Sequence, residues 1–437
     1  VAGSAETTFS AFRASRFYYN GTSGDNSKAP WPALPIRPPV QLVSTRTFGR
    51  AIALSDDGST SLLLPGGHVV PLSIPRGGTP ASIYKLGVFS VTTEADKAAS
   101  TNSITDGGTN KGTDASQGVV LCGPSGCTWW SCLVSTGTCS QLTGGSWAPP
   151  TGRLGAVLAM ASLDDGTLFV FGSSSGNRTL RVSTPVGGKA IATAVGPCVN
   201  GTVTCIAAYA PVNSEMRVAL ATDQAVYLWQ HSATTTAESK SGRFRHILVG
   251  ANIDSTPTAM VWMAPEASSS DSTSDDVCPE LYIGNAYALN VLRSDCVSVD
   301  RIGGEKELGG VPVANITALG SSGASTMLWV GSQNGVALRC LGSCSKPSSS
   351  PSSSSSLPRQ VTSSAPTYEW RYFAGDRWLN SGGDGNGGRG TVAGGVSNVT
   401  TMASFSSAAE AAAWVATPTG LAFIRSTAGS TLSAKAA

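Results

Sequence analysis

The sequence predicts an all-β fold, a seven-bladed β-propeller built from four-stranded antiparallel blades. Three observations predict it. Pairs of apolar runs are joined by short polar turns, which is the pattern of a β-hairpin. These hairpins recur along the chain, centred near residues 66, 125, 173, 222, 285, 332 and 417, and helix signals are scarce. Hairpins that recur at a long, roughly regular period are typical of a propeller or a solenoid.

The clearest hairpins are residues 329–338 (WVGSQNGVAL) and 414–423 (WVATPTGLAF). In both, a tryptophan precedes the glycine that ends the turn by six positions. Residues 220–228 match them position for position, and residues 282–291 keep the same spacing. Weaker copies lie at residues 62–67, 120–123 and 171–176.

A shared segment precedes the two clearest hairpins, NITAL at residues 315–319 and NVTTM at residues 398–402. Each repeat is therefore longer than one hairpin. This fits a four-stranded propeller blade, whose period is about 40–50 residues. A β-sandwich with unrelated hairpins is the alternative fold.

The runs LWVGSQNGV and AWVATPTGL, with NITAL upstream, resemble the repeat of two-component-regulator-type propellers. The resemblance implies a domain that senses or binds outside the membrane and performs no chemistry itself. No histidine-kinase segment follows, so the resemblance extends to the fold and not to signalling.

The repeats divide the chain into two parts. Residues 1–45 form a Pro-rich, extended N-terminal segment, and residues 46–437 form the propeller, with a Ser/Pro-rich insert loop at 345–366. The run FRASRFYY at residues 12–19 reads as a strand. It can complete the last blade, which would close the ring and remove a sheet edge.

Composition limits the partners. Charged residues make up 13% of the chain and the net charge is +2, so nothing indicates nucleic acid or an anionic membrane as a partner. No segment approaches the roughly 20 apolar residues that span a membrane. We expect a protein or glycan ligand, no nucleic acid and no direct membrane insertion.

The ten cysteines are close neighbours in sequence. An even number with local spacing predicts disulfides formed in an oxidising compartment, secreted or on the extracellular face of a membrane. Zinc is disfavoured because no paired C-x₂-C knuckle or nearby histidine is present. The neighbours are Cys198 with Cys205, Cys278 with Cys296 and Cys340 with Cys344, while the pairing among Cys122, Cys127, Cys132 and Cys139 stays open.

Five N-x-[ST] acceptors support a secreted glycoprotein when they are taken together with the cysteines. They are Asn20, Asn177, Asn200, Asn315 and Asn398. The motif alone is weak in a chain this rich in Ser and Thr. Asn315 and Asn398 occupy equivalent positions in the repeat.

No catalytic constellation is visible. The three histidines, His68, His231 and His246, lie in no metal-binding or nucleophile-activating pattern. The glycine-rich run at residues 382–390 lacks the Lys-[Ser/Thr] of a phosphate-binding loop, and calcium is an alternative to a plain loop there. We expect no enzyme activity, no catalytic residue, no cofactor and no metal site.

Residues 162–169 (SLDDGTLF) are similar to the Asp-box turn of sialidase propellers but depart from it at Leu168. An Asp box is a structural turn. A sialidase also needs an arginine triad and a Tyr/Glu pair, and Arg37 alone lies in a sequence loosely like the family's arginine motif. A sialidase-like, glycan-cleaving enzyme is therefore an alternative, which a ring-centre pocket with several arginines and a Tyr–Glu pair would favour.

Aromatic and charged residues alternate in YEWRYFAGDRW at residues 368–378. Such clusters are typical of interface hot spots and stack well on sugars. The candidate binding residues are Trp370, Tyr372, Phe373 and Trp378. Packing of Trp370 and Tyr372 between blades is the alternative.

The sequence thus predicts a secreted or cell-surface, disulfide-bonded glycoprotein that acts as a non-catalytic recognition or scaffold propeller through loops at one end of the ring. A structural subunit of a larger extracellular glycoprotein assembly is the other non-enzymatic hypothesis. Extensive O-glycans and chain-to-chain contacts would favour it.

Overall fold

The computed structural model describes residues 9–19, 32–45, 47–74, 84–91, 116–149, 154–174, 179–183, 191–195, 201–210, 216–230, 243–248, 255–263, 279–293, 299–303, 315–321, 327–333, 335–340, 370–374, 377–380, 398–406 and 411–428. Within these ranges the chain contains strands and no helix.

The strands form seven sheets, numbered here as blades 1 to 7 in ring order. The first two strands, β1 (Phe9–Tyr19) and β2 (Ala33–Leu34), belong to the last blade. Blade 1 contains β3 (Pro39–Ser44), β4 (Ala51–Ser55), β5 (Thr60–Leu64) and β6 (His68–Pro71). Blade 2 contains β7 (Lys85–Phe89), β8 (Ser116–Gly123), β9 (Gly126–Leu133) and β10 (Cys139–Trp147). Blade 3 contains β11 (Val157–Ser162), β12 (Leu168–Gly172), β13 (Thr179–Ser183) and β14 (Ile191–Val195).

Blade 4 contains β15 (Val203–Tyr209), β16 (Arg217–Thr222), β17 (Val226–Gln230) and β18 (Arg243–Leu248). Blade 5 contains β19 (Ala259–Met263), β20 (Glu280–Gly284), β21 (Leu289–Leu292) and β22 (Val299–Gly303). Blade 6 contains β23 (Ile316–Gly320), β24 (Met327–Ser332), β25 (Gly335–Cys340), β26 (Trp370–Ala374) and β27 (Arg377–Asn380). Blade 7 contains β28 (Thr401–Ser406), β29 (Ala411–Ala416) and β30 (Gly420–Ala428), extended by β1 and β2.

The seven blades close into a ring. The first strand of each blade is innermost, and the inner strands contact one another in the circular order β3, β7, β11, β15, β19, β23, β28 and back to β3. The predicted all-β, seven-bladed propeller is therefore confirmed. The core lies between the blades, because each junction of adjacent blades holds at least one cluster of buried apolar side chains.

The repeat hairpins of the sequence correspond to one structural unit in six blades. In blades 2 to 7 they join the second and third strands. In blade 1 the predicted hairpin at residues 62–67 joins the third and fourth strands instead. Its true counterpart is the β4–β5 hairpin, whose turn is Asp56-Asp57-Gly58-Ser59. The repeat pattern missed it because this turn carries charged residues where the other copies are neutral or singly charged.

The small residue near the end of the second strand has a packing role. A Cβ atom on Gly284 would lie 2.4 Å from Cγ2 of Ile316, and one on Gly331 would lie 2.7 Å from Cγ1 of Val399. Ile316 and Val399 lead into the inner strand of the following blade. The glycine therefore makes room for the first apolar residue of the next blade, which is why the pattern is repeated.

The two ends of the chain meet in blade 7. Strand β1 pairs antiparallel with β30 from Phe9 opposite Ala428 to Tyr18 opposite Gly420. The buried ring of Phe17 packs against Trp414, with 5.8 Å between ring centroids. Trp414 in turn donates a hydrogen bond to the carbonyl oxygen of Gly49 in blade 1, at 2.8 Å. The N-terminal strand thus forms the outer part of the last blade, and that blade is fastened to the first.

Each inner strand leaves one backbone edge unpaired within its own sheet, and unpaired edges need partners. Side chains of neighbouring inner strands supply them. Gln41 donates to the carbonyl oxygen of Leu86 at 2.9 Å and accepts from its amide at 2.8 Å. Ser162 accepts from the Val88 amide at 3.1 Å, and Thr401 accepts from the Leu42 amide at 3.0 Å.

Candidate functional site: the turn face of the ring

Antiparallel succession places the turns between second and third strands at one end of the ring, together with the segments that lead into each inner strand. We call this end the turn face. It comprises residues 56–59, 124–125, 173–174, 223–225, 285–288, 333 and 417–419, and the leading segments 36–38, 154–156, 201–202, 255–258, 315 and 398–400.

Hydrogen bonds hold leading segments onto the turns of the preceding blade. The amide of Asn315 donates to the carbonyl oxygen of Ala286 at 2.9 Å, and that of Asn398 donates to Gln333 at 2.7 Å. The next amides repeat the contact, from Ile316 to Asn285 at 3.0 Å and from Val399 to Ser332 at 3.1 Å. Backbone hydrogen bonds therefore join blades 5, 6 and 7 to one another at the turn face.

Polar residues at the end of the second strand, or directly after it, stabilise the turns. The side-chain oxygen of Asn285 accepts hydrogen bonds from the amides of Tyr287 and Ala288 at 2.9 and 2.7 Å. Thr222 accepts from the amides of Gln224 and Ala225 in the same way. Asn285 and Thr222 are fully buried, so these turns are rigid supports for the exposed residues at their tips.

The two N-x-T sequences of the repeat have a structural explanation. Asn315 and Asn398 adopt positive φ angles of 48° and 56°, a region that Asn tolerates better than most residues. The hydroxyl groups of Thr317 and Thr400 reach the carbonyl oxygens of Gly331 and Ala416, at 3.4 and 3.2 Å. The Asn thus adopts the backbone conformation found at the entry to the inner strand, and the Thr hydroxyl contacts the second strand of the same blade. The fold therefore accounts for the N-x-T spacing at both positions.

Charge is unevenly distributed over the turn face. The exposed residues of blades 1 and 4 include Arg37, Asp56, Asp57 and Asp223, and Arg37 lies 3.9 Å from Asp57 in an exposed pair worth little energy. The turns and leading segments of blades 5 to 7, as far as they are described, carry no charged side chain. Tyr287 at the tip of the blade 5 turn is 62% exposed.

The channel at the ring centre is lined by the inner strands, and Lys85 is the one charged residue on the seven strands described. Burial lowers the pKa of this lysine. The side chains of Gln41, Ser162 and Thr401 on these strands are used in the interblade bonds described above.

A Tyr–Glu pair does exist, but it lies on a second strand. The hydroxyl of Tyr282 donates to Glu280 at 2.7 Å. Arg293 donates to Glu280 at 3.1 Å and to Asp300 at 2.7 Å. Strand β20 starts at Glu280, so this cluster is at the end of blade 5 opposite the turn face. Arg37 lies at the turn face in blade 1, on a different blade.

Two disulfides settle the pairing that the sequence left open. Cys122 pairs with Cys127 and Cys132 with Cys139. Each bridge joins directly opposite residues on adjacent strands of blade 2. The first links β8 to β9 and the second links β9 to β10, so three strands of one blade are fastened together.

The predicted Cys198–Cys205 bridge is not formed, because Cys205 carries a free thiol. Its side chain packs against the apolar cluster between blades 4 and 5, which includes Ala207 and Trp262. Burial raises the pKa of this thiol to about 12, a rise that a hydrogen bond from Thr204 partly opposes. Cys198, Cys278, Cys296 and Cys344 lie outside the described residues, and of Cys340 only the backbone, in β25, is described.

Two of the five acceptor asparagines also lie within the described residues and three lie outside them. Asn315 and Asn398 are exposed on the turn face, on neighbouring blades. Asn20, Asn177 and Asn200 lie outside the described residues, as do the insert loop at 345–366 and the glycine-rich run at 382–390. The structure therefore describes the surroundings of two of the five candidate sites.

The candidate binding aromatics lie at the outer rim. Trp370, Tyr372 and Phe373 belong to β26 and Trp378 belongs to β27, the two outermost strands of blade 6. In the register of this hairpin Phe373 is opposite Trp378. Only the backbone of these strands is described. Phe373 is also opposite Val336, near the start of β25, so this end of the hairpin lies at the outer rim on the same side of the ring as the turn face.

Sequence reasoning missed Tyr287. The signal was present, because a large aromatic residue stands at a turn tip where the other copies have Asp, Ser, Gln, Asn or Thr. Among the described residues no group of three or more His, Cys, Asp or Glu side chains could hold a metal ion. The same residues include no helix with the length and hydropathy of a membrane span.

No family profile matches the chain, and no curated protein matches it. Among solved structures, a catalytically inactive variant of virginiamycin B lyase from Staphylococcus aureus, solved with quinupristin, is similar at 10% identity and a TM-score of 0.48, covering 95% of this chain and 99% of that one. U3-55K is similar at 9% identity and a TM-score of 0.47, covering 89% and 95%. These likenesses concern the fold alone, and nothing links the chain to two-component-regulator sensors in particular.

Proposed function

We propose that this propeller is a secreted or cell-surface, disulfide-bonded glycoprotein that recognises a protein or glycan partner through its turn face and performs no catalysis. The observation that carries the proposal is the construction of that face. Its exposed turn tips stand on buried polar caps such as Thr222 and Asn285 and on interblade hydrogen bonds. A rigid scaffold that presents variable side chains at one end is suited to recognition, since little conformational entropy is lost on binding.

The compartment is supported by chemistry in blade 2. Two disulfides within one blade are typical of proteins that fold in an oxidising environment. The five N-x-[ST] motifs of the sequence are acceptors that such a compartment can glycosylate. Mass spectrometry of the native protein, before and after reduction, tests this half of the proposal. Free Cys122 and Cys132 together with no glycan on any acceptor would overturn it.

The recognition half is tested by binding to cell surfaces and matrix extracts. The wild type is compared with a turn-face variant, Asp57→Ala with Gln224→Ala and Tyr287→Ala, and with a control at the opposite end, Leu133→Ala with Thr136→Ala. All five side chains are exposed, so each variant is expected to fold. We expect the turn-face variant alone to lose binding. Equal binding by all three proteins would refute recognition through this face.

A further inference from the structure

A strip of the turn face differs from the rest in charge and in aromatic exposure. It runs from Tyr287 in blade 5 through Asn315 and Gln333 in blade 6 to Asn398 at the start of blade 7. All four side chains are exposed, and the tyrosine is 62% exposed. We call these four residues the amide strip.

The amide strip is one connected surface. Ala286, the neighbour of Tyr287, accepts the hydrogen bond from the Asn315 amide at 2.9 Å. The side-chain amide of Asn315 donates to the side-chain oxygen of Gln333 at 3.3 Å, and the Gln333 carbonyl oxygen accepts from the Asn398 amide at 2.7 Å. The four residues are therefore held side by side across two blade junctions.

The chemistry of the strip is an aromatic ring beside neutral amides. Carboxamide groups both donate and accept, so they match hydroxyl groups, which do the same. An exposed aromatic face packs on the apolar face of a sugar ring. The turns and leading segments around it, residues 255–258, 285–288, 315–317, 332–335, 398–400 and 417–420, contain no charged residue. Among the described residues of the turn face in blades 5 to 7, an anionic ligand would find no cation to pair with.

We propose that the amide strip binds a neutral oligosaccharide, with Tyr287 as the stacking platform and the amides of Asn315, Gln333 and Asn398 as partners of the sugar hydroxyls. This rests on the proposed function and names its ligand class. It also assigns the exposed amides of Asn315 and Asn398 to the ligand. N-linked sugar then belongs on the other acceptors, because a glycan on either asparagine would cover the strip.

The test uses protein secreted into the periplasm of a bacterial host that adds no N-glycans, where disulfides form. Calorimetry measures binding of neutral hexasaccharides of β-1,4-glucose, α-1,4-glucose, β-1,4-mannose and β-1,4-N-acetylglucosamine, with oligogalacturonate and a heparin hexasaccharide as charged probes. We expect at least one neutral probe to bind and the charged probes to bind more weakly.

Variants locate the site. Tyr287→Ala is expected to weaken the binding of that probe about tenfold and Gln333→Ala by a smaller factor, whereas Tyr287→Phe keeps the ring and the affinity. Leu133→Ala and Thr136→Ala, two exposed residues at the opposite end, are expected to leave affinity unchanged. Circular dichroism of each variant shows that it is folded.

Three results would overturn the inference: no binding of any neutral probe, preference for a charged probe, or equal affinity of Tyr287→Ala and the wild type. Full occupancy of Asn315 and Asn398 by N-glycans in the native protein would also overturn it. If the neutral probes fail while the turn-face variant still loses binding to cells, the partner is a protein or a charged glycan, and the proposed function stands without this inference.

Discussion

The hydroxyl oxygen of Tyr19 lies 2.9 Å from the carbonyl oxygen of Thr417, although 398 positions separate the two residues in sequence. It also lies 2.8 Å from the carbonyl oxygen of Gly420. Burial raises the pKa of Tyr19 far above its ordinary value, so the hydroxyl keeps its proton and donates. The contact fastens the first strand of the chain to the last repeat hairpin.

The ring closure predicts an order of stability among variants of β1. Phe17→Ala is expected to lower the free energy of unfolding by about 3–5 kcal/mol, because it removes a buried ring packed on Trp414. Tyr19→Phe is expected to cost about 1–2 kcal/mol through the lost hydrogen bond. Ser15→Ala, on the same strand and exposed, is the control. Urea denaturation followed by tryptophan fluorescence measures all three, and an equal effect of Phe17→Ala and Ser15→Ala would contradict the closure.

The packing of Gly331 against Val399 predicts coupling between these positions. Gly331→Ala is expected to destabilise by about 2 kcal/mol, since its Cβ would lie 2.7 Å from a Val399 methyl group. In a Val399→Ala background the methyl group is gone, and the cost of Gly331→Ala should fall by about 1 kcal/mol. A double-mutant cycle in urea gives the coupling. Strict additivity would show that the glycine is not there to admit the next blade.

The two disulfides of blade 2 predict similar losses of stability with different local effects. Replacing either pair by serines is expected to cost about 2 kcal/mol, because each bridge closes a short loop. Loss of Cys132–Cys139 should also loosen the turn whose Gly137 carbonyl oxygen accepts from the Ser73 amide at 3.0 Å. Hydrogen exchange at Ser73 should rise in that variant. Equal exchange in the variant lacking Cys122–Cys127 would contradict the local effect.

The two hydrogen bonds between the Gln41 side chain and the Leu86 backbone predict that the carboxamide group of Gln41 stabilises the contact between blades 1 and 2. Gln41→Leu leaves an amide and a carbonyl of Leu86 without their partner and is expected to cost about 2–3 kcal/mol. Gln41→Glu, nearly equal in size, removes the donor and sets a carboxylate against the Leu86 carbonyl, so we expect a similar or larger loss. Gln224→Ala at an exposed turn is the control. Thermal unfolding measures the stability of each variant. If Gln41→Leu is as stable as the wild type, the hydrogen bonds between Gln41 and Leu86 do not stabilise the fold.

Cys205 is partly buried and its thiol has a raised pKa, so we expect it to react slowly and to set an alkaline limit to stability. With its pKa raised to about 12 by burial, we expect alkylation by iodoacetamide at pH 8 at least about a hundredfold slower in the folded than in the unfolded protein. Stability from this group is complete below the pKa of the unfolded thiol and is lost as the pH rises toward 12, because the unfolded state releases the proton first. Equal alkylation rates with and without urea would contradict the burial.

Much of the fold was predictable because a propeller repeats its packing. The tryptophan hairpins at 329 and 414 and the preceding segments at 315 and 398 are equivalent strands in the ring. Blade 1 was misaligned because its turn carries two charged residues, Asp56 and Asp57, where the other turns carry none or one. Local pattern therefore located the strands, and it failed where the repeat had diverged.

The candidate site was less accessible to sequence reasoning. The aromatic and charged residues at 368–378 predicted a binding site, and their strands lie at the outer rim of blade 6. Tyr287 stood in a turn without neighbours of similar kind, and its place beside Asn315 and Gln333 depends on hydrogen bonds between residues that are distant in sequence. The arrangement of the blades around the ring decides which loops share a surface. That arrangement cannot be read from any single stretch of sequence.

By itself the sequence determined the all-β class, the number of blades and the position of the repeat hairpin in six of them, since those are encoded in local periodicity and turn chemistry. The tertiary structure alone decided how Cys122, Cys127, Cys132 and Cys139 pair and which exposed residues meet on the turn face. The physical reason is that bridges and surfaces depend on strand register and on the order of blades around a closed ring. Both are set by contacts between residues that lie far apart along the chain.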